Sequence, residues 1–124
     1  MVSTAADYAR FLEAIRRGGA IDGARILSPH AVELMHTNMV GTLHSPNGEL
    51  GFGLGFETIE KYGAKAMVSA GSFGWGGAYA SMYEVDPGER LVIVFMIQQL
   101  PNGTDIAMQF PTLVYQALVE SARQ

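Results

Sequence analysis

The stretch SAGSFGWGGAYASMYEVDPGERLVIVFMIQQ, residues 69–99, decides the fold. Glycines at 71, 74, 76 and 77 surround Trp75, the only tryptophan of the chain. Asp86-Pro87-Gly88-Glu89 then separates two apolar runs, 77–85 and 90–98, and predicts a hairpin between two strands. Residues 91–97 are apolar without alternation, the pattern of a strand covered on both faces. Two readings of the Gly74-Trp75-Gly76-Gly77-Ala78 segment stay open. In one, Trp75 fills the core and the glycines make a bulge or a close packing contact. In the other, the bare backbone at Gly76 and Gly77 lets a ligand lie against the strand, the Ala78 N–H donates to its carbonyl oxygen, and Trp75 walls the pocket.

Outward from this centre the pattern changes period. Thr4 caps a helix over 4–17, with Asp7 three places on. Tyr8, Phe11, Leu12 and Ile15 follow helical spacing, and Gly18-Gly19 end the run. Ser28 and Pro29 start a second helix that carries Val32, Leu34 and Met35 toward a core and stops near Asn38. Residues 41–48 read as a loop. Phe52, Leu54 and Phe56 alternate with glycines, predicting a strand over 51–59, and a weaker strand is expected over 64–70. A last helix is expected over 111–122, with Pro111 at its start and Leu113, Val114, Ala117 and Leu118 inward, and Asp105 capping a short preceding turn. The order of elements gives one α+β domain spanning 1–124, an antiparallel sheet flanked by helices.

Composition narrows the classes of function. The chain has 124 residues, 48% hydrophobic and 16% charged, a globular composition able to form one core. Eight basic residues are scattered against twelve acidic ones, so nucleic acid is not an expected partner. There is no cysteine, hence no disulfide or thiolate metal site. No apolar run reaches membrane-spanning length, and the amphipathic opening carrying acids is not a signal peptide. His30, His36 and His44 share no metal spacing and read as surface or helix-end residues; no metal and no cofactor is expected. Glu57 and Glu60 read as solvated groups at a strand end.

A nucleophile is hard to place. Ser72, in Ala70-Gly71-Ser72-Phe73-Gly74, approximates a G-x-S-x-G elbow, but Ala70 replaces the first glycine and a strand follows where a helix is needed. The S-x-x-K signature is absent, since Thr58 and Tyr62 stand three residues before Lys61 and Lys65. Tyr-x-Asn is absent as well.

The segment from Gly74 to Gln98, together with Val2-Ser3-Thr4-Ala5-Ala6-Asp7-Tyr8-Ala9-Arg10-Phe11, resembles the serine β-lactamase superfamily, and within it the class C-like family VIII carboxylesterases. Ile26-Leu27-Ser28-Pro29 and Gly51-Phe52-Gly53-Leu54-Gly55-Phe56 lie between them in the expected order. The resemblance covers nearly all of this chain but only the closing third of such a protein. It implies that Trp75-Gly76-Gly77 is a variant of the Lys-Thr-Gly strand beside the active site, binding substrate, and that Ala78 offers an oxyanion-hole N–H. The nucleophilic serine, its own N–H and the Ser-x-x-Lys and Tyr-x-Asn motifs belong to the missing part. The resemblance implies a small-molecule ester or amide substrate; Trp75 cannot pair with a substrate carboxylate as lysine does, which favours an uncharged ester over a β-lactam. In that fold the last hairpin strand pairs with strands from the N-terminus of the protein. The 90–98 strand is therefore expected to bind that remainder or a second copy. The alternatives are a non-catalytic interaction domain and a self-contained hydrolase using Ser72.

Overall fold

A computed structural model describes residues 2–101 and 103–123. Three helices and seven strands follow the order α1 (Ala5–Arg16), β1 (Ala20–Ile21), β2 (Ala24–Arg25), α2 (Pro29–Met35), β3 (Leu50–Phe52), β4 (Glu57–Ile59), β5 (Phe73–Gly76), β6 (Met82–Asp86), β7 (Leu91–Phe95) and α3 (Ile106–Gln116). Strands β1 and β2 form a small ribbon; β3 to β7 form one antiparallel sheet in sequence order. The α+β class and the antiparallel sheet are as the sequence predicts.

The helix starts follow the capping chemistry. Thr4 Oγ1 accepts from the Asp7 N–H at 3.1 Å and donates to the Asp7 carboxylate at 2.8 Å. Ser28 Oγ accepts from the Ala31 N–H at 3.1 Å, with Pro29 in the first helical position. The hairpin of β6 and β7 pairs Asp86 with Leu91 and Met82 with Phe95, and Asp86 Oδ1 accepts from the Glu89 N–H inside the turn.

Strand alternation divides the core in two. Phe73, Val85, Val92 and Val94 meet Leu12, Ile15 and Val32 of α1 and α2, together with Phe56. Ile93 and Leu91 face the other way, toward Ile59, Val68 and the Phe110, Val114 and Tyr115 side of α3. Strand β7 thus has helices against both faces, the arrangement its unbroken apolar run predicts. Only Ile93 among its residues is fully buried, because β7 ends the sheet order and its outer edge is unpaired among the described residues.

Several boundaries differ from the sequence expectation. Residues 51–59 are not one strand but the hairpin of β3 and β4, pairing Gly51 with Thr58 and leaving Leu54 at an exposed turn. Residues 64–70 form turns, closed by Ala64 N–H to Lys61 O and Val68 N–H to Lys65 O. They still press Met67 and Val68 onto the second core. The strand expected over 77–85 begins only at Met82; residues 77–81 are a turn, and β6 pairs with the preceding β5 as well as with β7. Helix α2 stops at Met35 and leaves Leu34 exposed. Helix α3 starts five residues before Pro111, and Phe110 in its first half packs on Phe95 at 5.2 Å; Asp105 stands at the N-cap position without a side-chain capping hydrogen bond. Its inward face is then Phe110, Pro111, Val114 and Tyr115, with Leu113, Ala117 and Leu118 outside.

Candidate functional site

The glycine-rich segment is where two recesses meet. Strand β5 carries Trp75 and Gly76 to its end. The chain then reverses through 77–81, held by Gly77 N–H to Ser81 O at 2.8 Å and Ala80 N–H to Gly77 O at 3.0 Å. Ala78 and Tyr79 stand at the exposed tip. Trp75 does not fill the core. It is 44% exposed and meets Phe52 edge to face at 4.8 Å, with His44 beyond at 6.3 Å. One recess, about 460 Å³, opens between the β5–β6 pair and the first half of α3. The other, about 300 Å³, includes Tyr8 and Val94. Both are bounded by Trp75, Gly76 and Gly77.

The glycines of this segment have different reasons to be there. A side chain at Gly74 would overlap the Tyr83 carbonyl oxygen and press on Glu84 Cα at 3.1 Å, so packing requires glycine. At Gly76 a Cβ would meet only the Ser81 carbonyl oxygen at 3.6 Å, and at Gly77 the same atom at 3.9 Å. These are ordinary contacts, and neither residue has a positive φ. Nothing among the described residues demands glycine at 76 or 77.

Gly74 also lies between two acids. In register it pairs with Glu57 on one side and Glu84 on the other, so both carboxylates share a sheet face across a residue with no side chain. The turns of 61–68 lower Lys65 over that gap. Its ammonium donates to Glu57 Oε1 at 2.6 Å and lies 3.6 Å from Glu84 Oε2. His44 Nε2 is hydrogen-bonded to Glu57 Oε2 at 2.8 Å. Burial opposes the charge on Glu57, but the Lys65 and His44 hydrogen bonds outweigh it and lower its pKa. Glu84 is 1% exposed. Its burial dominates, Lys65 offsets it in part, and the Glu57 charge adds to it, lifting its pKa to about 7. Burial works against the Lys65 charge too, yet the two carboxylates raise its pKa.

The sequence reading missed this cluster. Glu57 is not a solvated strand-end acid but 8% exposed; His44 is exposed, as the sequence reading has it, and is also hydrogen-bonded to Glu57. The available signal was Glu84 inside an apolar strand, two residues from Met82 and so on the same face. His30 is a surface residue, and His36 ends α2, stacked on Phe73 at 4.7 Å. Ser72 is 1% exposed, beside Tyr115, and lines neither recess, so an ester cannot reach it.

The sequence matches the beta-lactamase family model over residues 1–115. Two curated proteins of Mycobacterium tuberculosis, "Uncharacterized protein MT1414" of strain CDC 1551 / Oshkosh and "Protein Rv1367c" of strain H37Rv, are similar to it. Each is 31% identical over 112 residues, a match covering 81% of this chain and 28% of the relative. The chain thus spans little more than a quarter of the length of the curated relatives it matches, and neither of their names specifies an activity.

Proposed function

The chain belongs to the beta-lactamase family, and from that premise we propose that it is the substrate-side, C-terminal portion of a serine hydrolase that cleaves uncharged carboxylic esters. The observation that carries the reading is the contrast among the glycines. Gly74 is required by its neighbours, whereas a Cβ at Gly76 or Gly77 would make only ordinary van der Waals contact with the described residues. Their bareness serves something that approaches from outside. In the proposed arrangement the ester lies along Trp75, Gly76 and Gly77, and its carbonyl oxygen accepts from the exposed Ala78 N–H. A serine supplied by another segment attacks the carbonyl carbon, the alcohol leaves with a proton, and water releases the acyl group. Ala78 then stabilises the charge that develops on oxygen in each half of the reaction. By this reading the chain alone is inactive: Ser72 is buried and lines neither recess, and Ser81, which lines both, is held by hydrogen bonds to the Ile97 backbone.

The test is hydrolysis of p-nitrophenyl butyrate by a polypeptide in which this chain follows a segment carrying Ser-x-x-Lys and Tyr-x-Asn. Gly76→Val should lower kcat/KM about tenfold or more, the loss of roughly one well-made transition-state contact, with the thermal midpoint little changed. Full activity in that variant would sink the proposal, as would Ser72-dependent turnover by the isolated chain.

The open edge of β7 supports a second element of the reading. Leu91–Phe95 exposes one row of backbone donors and acceptors with apolar side chains on both faces. Such an edge adds a strand from another polypeptide: the remainder of the hydrolase, or in its absence a second copy of this chain. Sedimentation of the isolated chain at high concentration should show a dimer. A monomer under those conditions would refute self-association.

A further inference from the structure

We propose that the 460 Å³ cleft between β5–β6 and α3 is a binding site for a small amphiphilic cation, a primary ammonium on an apolar body, with Glu84 receiving the ammonium. The volume is that of a small-molecule pocket, and its wall is mostly apolar, built from Val68, Trp75, Met82, Ala107, Met108 and Pro111. Two charged side chains, Lys65 and Glu84, interrupt that wall.

Their geometry sets the sign of the ligand. Lys65 is committed to Glu57, at hydrogen-bond distance of 2.6 Å, and stands 3.6 Å from Glu84 Oε2, outside that range. Glu57 is further engaged by His44. Glu84 Oε1 has no hydrogen-bond partner although it is shielded from solvent. A buried oxygen in that state lacks the donor its burial demands. With Lys65 and Glu57 cancelling, ionised Glu84 leaves the cleft floor one negative charge in excess, so a cationic donor is favoured over a neutral one and an anion is repelled. Met82 and Met108 lie in the wall, and Met108 is 78% exposed; unbranched thioether chains of this kind rearrange readily to admit a guest to the oxygen. Gly76 forms part of the rim and adds no bulk. The lining described belongs to this chain, and the proposal holds whether or not β5 also serves ester hydrolysis.

Trp75 lines the cleft and is the sole tryptophan, so its fluorescence reports occupancy. The probes are n-hexylammonium, 1-hexanol and hexanoate, equal in apolar length and differing in head group. At pH 8 the ammonium should give a saturable change and bind about tenfold more tightly than the alcohol, with hexanoate weakest. Glu84→Gln, an isosteric change, should bring ammonium and alcohol to equal affinity. Ala107→Phe, which fills the cleft from α3 without touching the charges, should weaken both. The groups that face Glu84 are Lys65, Glu57 and Asp86, and of the four Glu84 is the one that changes charge near pH 7. The preference for the ammonium should therefore shrink as pH falls from 8 to 5 in the native chain and be flat in Glu84→Gln. No saturable response, equal binding of ammonium and alcohol to the native chain, or tighter binding of hexanoate would each overturn the proposal. None of these results bears on the turnover test of the ester reading.

Discussion

Gly74→Ala is expected to cost the fold about 3 kcal/mol, while Gly76→Ala, two residues along the same strand, is expected to change stability by less than about 1 kcal/mol and to raise it if anything. At Gly74 the added carbon would overlap the Tyr83 carbonyl oxygen, a backbone atom fixed by the ladder of β5 and β6. Relief requires the two strands to separate, which breaks ladder hydrogen bonds and moves Phe73 and Val85, both in the first core. At Gly76 the added carbon meets one oxygen at 3.6 Å, ordinary van der Waals contact, and a methyl group narrows the backbone freedom of the unfolded chain. Chemical denaturation of the two variants measures the contrast. Equal stabilities would mean that the glycines serve one common purpose, and the argument for an external ligand at Gly76 would fail with it.

Lys65→Met is expected to lower stability by about 3 kcal/mol, equivalent to roughly 10 °C in thermal midpoint. The substitution nearly conserves volume, so the loss is electrostatic. It leaves two carboxylates, 8% and 1% exposed, facing each other across Gly74 with no cation between them. Removing one partner of a fully buried pair costs more; here the Lys65 side chain is 37% exposed, so water screens part of the interaction. Acidification should restore much of the loss, because protonating Glu84 and then Glu57 removes the repulsion.

The native chain carries its own pH signature from the same cluster. The folded-state pKa of Glu84, about 7, lies above its ordinary value of 4.5. Between these values the folded form holds a proton that the unfolded form has lost, so stability falls as pH rises from about 4.5 to about 7 and levels off above. Glu57, with a lowered pKa, acts in the opposite sense and at lower pH: its contribution is present above 4.5 and is lost as pH falls below. Denaturation midpoints across pH 5–8 should show the decline in the native chain and its absence in Glu84→Gln. A flat native profile would mean that Glu84 stays ionised throughout.

The caps at Thr4 and Ser28, the turn at Asp86-Pro87-Gly88-Glu89 and the apolar run of 91–97 are legible because each is local. Their chemistry is satisfied within a few residues, by one hydroxyl and one N–H or by one turn. The strand at 51–59 misleads for the same reason. A period-two alternation is real there, but whether it continues straight or folds into a hairpin depends on the Gly51–Thr58 pairing and on the close approach of α2 beneath Gly53, neither of which is local. Pro111 misleads similarly, because proline marks a helix start by propensity, while the start at Ile106 follows from Phe110 finding Phe95 across the sheet.

The amino-acid order alone determined the class of fold, the sheet-helix layering of β7, and the family, since these rest on local patterns and on an ordered series of motifs. It singled out Trp75, Gly76, Gly77 and Ala78 without deciding between packing and ligand approach. Tertiary structure made that separation possible, because the space around a missing Cβ is set by distant chain: full at Gly74, free at Gly76 and Gly77. It also decided what no spacing could show, that Glu57, Lys65 and Glu84, up to 27 residues apart in sequence, meet over one bare position of a strand. Antiparallel register brings the acids to one face, and the low-dielectric surroundings make their charges interact strongly enough to shift their pKa values.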